Sequence, residues 1–207
     1  MRRLRERRGV RRAIAVFASG VLAVVLTAIS NPVSASPTDY PWSVYPDRGA
    51  HTYCFGPAFA AYSALTSRAH YAMDDNDGVE AQTVVDTVFY SACSAATDVR
   101  FVETPIGGGA GGETQCVALN SAGYCDQWHV RIDWDVIREV ASNDGYQARK
   151  TLCHEIGHSL GADHYLLSIE SPDYPTQTCM ISGLYDSGAA WTRTYGGFHR
   201  AHINTWF

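Results

Sequence analysis

The sequence predicts an α+β fold, and three observations carry the prediction. Val99-Arg100-Phe101-Val102 and the stretch from Trp128 to Trp134 alternate apolar and polar side chains, as half-buried strands do. Phe59, Tyr62, Leu65, Ala69 and Ala72/Met73, and later Ala148, Leu152, Ile156 and Leu160, recur at the spacing of amphipathic helices. All six cysteines follow a basic, then apolar, N-terminal run, which points to an exported, disulfide-bonded chain.

Residues 1–12 are strongly basic, Ala13 to Ile29 is almost unbroken apolar sequence, and Val33-Ser34-Ala35 offers a small-x-small cleavage site. That order reads as a secretory signal peptide over 1–35 and a secreted, extracellular protein. An uncleaved anchor is the weaker alternative, because the apolar run is at the short end of a bilayer span. Residues 1–35 hold 7 of the 16 Lys and Arg but only 1 of the 21 Asp and Glu, leaving 9 basic against 20 acidic residues, a net charge of −11. Such a chain is a poor partner for nucleic acid or for anionic membranes after cleavage, and it is expected to be a soluble monomer. The length remaining suits a single domain over 51–207, preceded by an extended lead-in or short pro-segment over 36–50 that is rich in Pro and aromatics.

Taken in order, Thr52-Tyr53-Cys54-Phe55 reads as a first strand, and the periodic run from Phe59 to Met73, with Pro57 near its start, as a helix. Asp74-Asp75-Asn76-Asp77-Gly78 gathers hard oxygens of the kind Ca2+ takes, but its spacing matches no full EF-hand loop. The favoured reading is a turn in which Asp77 and Glu80 form a capping box. Val84, Val85, Val88, Phe89, Ala92 and Cys93 fit a helix or a strand. Gly107 to Gly112 is a loop with no phosphate-binding Lys after it, and Gln115 to Leu119 is a further strand. His129, alone on its strand, reads as structural. Cys116 and Cys125 bracket a hairpin-sized loop and are expected to pair.

Asp144-Gly145-Tyr146-Gln147 resembles a helix start, and the helix it opens runs to about Leu160. On it lies His154-Glu155-Ile156-Gly157-His158. Four residues of helix separate the two imidazoles by only about 40° around the axis, so both can reach one metal ion. Ala148, Leu152, Ile156 and Leu160 fall on the opposite side and supply a buried back. Glu155 is poorly placed to be a ligand but can take a proton from water at the metal. Gly161 can end the helix with positive φ and turn His164 back toward the first two histidines. Three imidazoles leaving a position open are the donor set of a catalytic rather than a structural zinc site. The other candidate ligands, His199 and His202 in a C-terminal helix over 198–207, read better as a surface helix than as a second metal pair.

The extended motif His-Glu-x-x-His-x-x-Gly-x-x-His over 154–164, with Cys179-Met180-Ile181 following, resembles the metzincins, the zinc endopeptidases that include matrixins, astacins, serralysins and the related snapalysins. The resemblance implies a twisted mixed sheet with a backing helix and an active-site helix, an N-terminal lobe to about 161, and a small C-terminal lobe over 162–207 that ends in a helix. It implies zinc on His154, His158 and His164, Glu155 as general base, and Met180 in a turn beneath the metal. It implies a protein or peptide substrate added to an edge strand, for which 115–134 is the expected source, and a side-chain pocket supplied by 181–194. Cys153 and Cys179 precede the first ligand and Met180, so a bridge between them would tie the active-site helix to that turn, leaving Cys54 with Cys93. Astacins and serralysins carry a metal-site tyrosine two residues after the methionine; here that residue is Ser182, and Tyr185 is the nearest tyrosine. The alternatives are a zinc hydrolase of short peptides or cell-wall cross-links, and a secreted zinc-binding module without turnover.

Overall fold

One mixed sheet of five strands, ordered β2-β1-β3-β5-β4, carries the described part of the chain. Its strands are β1 (His51–Phe55), β2 (Thr87–Phe89), β3 (Val99–Glu103), β4 (Gly112–Leu119) and β5 (Cys125–Ile132). The computed structural model describes residues 44–74, 77–164 and 178–207. The expected signal peptide, the lead-in up to residue 43, Asp75 and Asn76, and the loop Tyr165–Pro175 lie outside them. Six α-helices accompany the sheet: α1 (Pro57–Ala60), α2 (Ser63–Met73), α3 (Val79–Gln82), α4 (Trp134–Val140), α5 (Asp144–Ser159) and α6 (Gly197–Trp206).

β1, β2, β3 and β5 run parallel, and β4 alone pairs antiparallel, through the β4–β5 hairpin. Register explains how the sheet serves α5. Tyr53, Val99 and Trp128 align across one row, and Phe55, Phe101, Val130 and Thr114 across the next. Side chains two apart share a face, so both rows point the same way. Trp128, Val130 and Ile132 are fully buried with Ile156, Leu152 and Ala148 in one core, so α5 turns its apolar back to this sheet face. Each such aliphatic or aromatic side chain is worth roughly 1.5–3 kcal/mol when fully buried. The cysteines pair as expected, Cys54–Cys93, Cys116–Cys125 and Cys153–Cys179, and no free cysteine is left.

Several expectations need correction. The helix foreseen from Phe59 to Met73 is broken, because Tyr62 adopts an extended conformation and starts α2 afresh. The ambiguous segment 84–93 contains a strand, not a helix: β2 is held by its parallel pairing to β1, a partner that local periodicity does not reveal. The strand foreseen through Trp134 stops at Ile132, where the Asp133 carboxylate accepts from the Val136 amide at 3.0 Å and starts α4. α5 is capped by Asn143, whose Oδ1 accepts from the Tyr146 amide at 3.0 Å, one residue ahead of the expected start. The capping box of Asp77 and Glu80 does not form: Gly78 is the N-cap, Glu80 accepts from Thr87, and Asp77 pairs with Arg193 and Arg149. His129 lies on the side of β5 away from the row facing α5, outside the cleft described below.

The expected C-terminal helix forms as α6. Trp206 stacks on Tyr45 and donates from Nε1 to the Pro46 carbonyl at 3.0 Å, while Phe207 packs against the core. His199 departs from the surface-helix expectation. It is buried, its Nδ1 lies 3.3 Å from the Thr178 hydroxyl, and it hydrogen-bonds the Asp163 backbone. Among the described residues no helix is long and apolar enough to cross a membrane.

Candidate metal centre

Three histidine rings converge at the C-terminal half of α5. His154 and His158 are one helical turn apart and buried. The chain leaves the helix through Gly161, at φ 90°, and the Ala162 amide bonds back to the Gly157 carbonyl at 2.9 Å. Only glycine takes that backbone conformation cheaply, and the turn delivers the exposed His164 to the same point. The Nε2 atoms of His154, His158 and His164 form a nearly equilateral triangle with sides of 3.2, 3.1 and 3.1 Å.

That triangle fits a metal ion better than it fits hydrogen bonding. The Nδ1 of His154 sits 2.9 Å from the Cys179 carbonyl, and the Nδ1 of His158 sits 2.8 Å from the Ala162 carbonyl. A carbonyl only accepts, so both Nδ1 atoms carry the proton and both Nε2 atoms present lone pairs. Two lone pairs 3.2 Å apart repel unless a cation sits between them. Tetrahedral bonds of about 2.0–2.1 Å to zinc place neighbouring nitrogens about 3.3–3.4 Å apart, close to the sides found here. Burial also keeps the imidazoles neutral, the form that ligates. It lowers His154 well below the usual histidine value, His158 to about 4, and His164 in the same direction. The described residues therefore contain a site that can hold a metal ion. Three imidazoles suit several divalent metals, zinc among them.

Below the triangle the helix is fixed to the segment that follows. Cys153 is bonded to Cys179, and the next residue, Met180, is fully buried against Gly157. The Tyr195 hydroxyl donates to the Cys153 carbonyl at 3.1 Å. Ser182 and Tyr185 sit beyond this turn. Ser182 lines the cleft, whereas the Tyr185 ring packs against Trp191.

Glu155 lies beside the histidines in a cleft of about 410 Å³. Its Oε2 is 2.9 Å from the Thr114 hydroxyl, which is also 2.7 Å from the Glu155 carbonyl oxygen. β4 comes this close because residue 112 is glycine: a Cβ there would stand 2.5 Å from Thr151 and 2.7 Å from Glu155. Burial pushes the Glu155 carboxyl up to about 7, while the Thr114 hydrogen bond and the Lys150 ammonium pull it down. The cleft is walled by β4 at Gly112 to Thr114, by Val136, Ile137 and Val140 of α4, and by Ser182 to Leu184.

Sequence reasoning named the three histidines, Glu155, Gly161 and Met180, and the fold brings all six together. It placed the edge strand only in part: most of β4 falls within 115–134, but the residues of β4 that line the cleft lie before 115. It also missed Thr114, Lys150 and the α4 wall. Lys150 was within reach of the sequence, since it precedes His154 by one turn on the same helix face. Compared with known protein families and with curated proteins, the chain matches neither a family nor an individual relative.

Proposed function

We propose that this chain is a secreted zinc-dependent endopeptidase of metzincin type. The observation that carries the reading is the triangle of Nε2 lone pairs with the Glu155 carboxylate beside it in an open cleft. His154, His158 and His164 would hold the ion, which when bound would supply a Lewis acid for a peptide carbonyl and for water. Glu155 accepts the proton of the attacking water and passes it to the leaving amine. The Thr114 hydroxyl, 2.9 Å from Oε2, orients the Glu155 carboxylate for both transfers. Among the described residues β4 pairs only with β5, so its outer side leaves backbone groups for an extended peptide to add as a further strand. Neither a Ser nor a Cys nucleophile is needed, and all six cysteines are in disulfides.

Three disulfides fit an oxidising compartment, and together with the N-terminal run they support secretion. The test is a casein digest by the mature chain with and without chelator. Internal cleavage that stops on chelation and returns with zinc is the expected result. A zinc-loaded chain that cuts no protein or peptide would move the reading to the non-catalytic module, and cleavage of short peptides alone would move it to the short-substrate hydrolase.

A further inference from the structure

The cleft contains a cation that the hydrolytic reading does not use. Lys150 lies on α5, one turn before His154, and is only 3 % exposed. It is the only Lys or Arg among the described residues lining the cleft. Its side chain is packed away, but Nζ is not among the buried polar atoms that lack a partner, so the ammonium itself opens onto the cleft. Among the described residues Lys150 has no ion pair and no hydrogen bond, and the Tyr185 ring centroid lies 5.9 Å from Nζ. Glu155 attracts it but lies beyond ion-pair distance and is engaged by Thr114. Glu113, the other carboxylate of the cleft, is held by Arg131. Burial lowers the Lys150 ammonium to about 8, against the opposing pull of the Glu155 carboxylate.

The surroundings describe what would pair with it. Val136, Ile137, Val140 and Leu184 give the cleft apolar walls, and Gln147 is occupied by the Tyr185 amide at 2.8 Å. A group entering here meets aliphatic surface and then a single positive charge in the cleft wall. Resting on the peptidase reading, we propose that Lys150 recognises a carboxylate of the substrate next to the scissile bond and so sets a preference for acidic peptides. An Asp or Glu side chain and the free C-terminus of a short peptide carry the same chemistry. Either would add a charge-assisted bond at a place where a neutral group would leave the ammonium unpaired.

The experiment is a peptide library digested by the zinc-loaded mature chain and by its Lys150→Met and Lys150→Arg variants, with cleavage sites read by mass spectrometry. Half of the library is amidated at the C-terminus. For a side-chain carboxylate, Glu over Gln at one position bordering the cut is preferred on the order of 10–100-fold, in amidated and free peptides alike. For a C-terminal carboxylate, cuts cluster at a fixed distance from the end and vanish on amidation. In both cases Lys150→Arg keeps the preference and Lys150→Met loses it. A wild type that cuts with no carboxylate preference overturns the inference and leaves the peptidase reading standing; so does a preference that Lys150→Met, folded by circular dichroism, retains. A wild type that holds zinc and cuts no peptide removes the peptidase reading, and this inference with it. Binding of a Glu-containing and a Gln-containing peptide to the Glu155→Gln variant gives a readout without turnover, and equal affinities would also overturn the proposal.

Discussion

Gly157→Ala decides whether the packing of Met180 beneath α5 is as tight as the site requires. In an ordinary exposed helix, glycine to alanine stabilises by about 1 kcal/mol, because alanine loses less backbone entropy. Here an added Cβ would lie 2.3 Å from Met180 Sδ, 2.9 Å from Tyr195 Cε1 and 3.1 Å from Met180 Cε. Comfortable contacts between such atoms are about 3.5–4.0 Å, so the sulfur must retreat by about 1 Å or more. It has nowhere to go: Met180 is fully buried, Tyr195 is 2 % exposed, and Cys179 beside the methionine is bonded to Cys153. Overpacking of a filled core costs about 1–3 kcal/mol, and a contact this close belongs to the upper part of that range, about 2–3 kcal/mol, which exceeds the helical gain. The variant should therefore be destabilised by about 1–2 kcal/mol, a fall in Tm of roughly 2–8 °C for a domain of this size. The assay is urea and thermal unfolding of the mature chain with its disulfides intact. Met180→Ala alone opens a cavity and destabilises, but it frees the space that the methyl group added at position 157 needs. The double variant should thus fall short of the summed costs by about 0.5–3 kcal/mol. A Gly157→Ala variant as stable as wild type or more so, or strict additivity with Met180→Ala, would refute the reasoning.

Two further outcomes follow from the same geometry. His164→Ala leaves two lone pairs where three converged, so zinc affinity should fall by at least about 100-fold in a competition titration, and unchanged affinity would place the third ligand elsewhere. Acid stability should depend on His51, whose Nε2 meets the Ser159 hydroxyl at 2.9 Å, whose Nδ1 has no partner among the described residues, and which burial lowers to about 4. Above about pH 6.5 its ring is neutral in the folded and unfolded states and contributes no pH dependence. Between about 6.5 and 4 only the unfolded chain takes up the proton, so stability is lost over that window, by up to about 3 kcal/mol for this residue. Urea titrations of the metal-free chain should show a shallower loss for His51→Phe than for wild type, and identical slopes would contradict the assignment.

What could be read from the chain was whatever local spacing decides. The histidines declare themselves because a helix fixes residues four apart and a glycine fixes the exit, so little beyond the segment 154–164 is needed. The Cys153–Cys179 link was legible for a related reason, since each cysteine abuts a residue of the site. Properties set by distant partners were not legible. Asp77 and Glu80 satisfied a local capping pattern, yet Arg193 and Thr87 compete for them across the fold and win. Thr114 reaches Glu155 only because of the β4–β5 register, and His199 is buried only because α6 settles on Thr178. Helix α4 was hidden by a strong alternation that ran up to its cap, although Asp133 itself was a readable signal.

Glu155→Gln tests the central claim most directly, because it keeps the size of the side chain and removes its capacity to accept a proton. The measurement is kcat on a casein-derived peptide at equal, verified zinc occupancy of variant and wild type. Normal folding, normal zinc content and a loss of about 10²–10⁴-fold in turnover are the predicted result. A fully zinc-loaded glutamine variant that cleaves at the wild-type rate would contradict it.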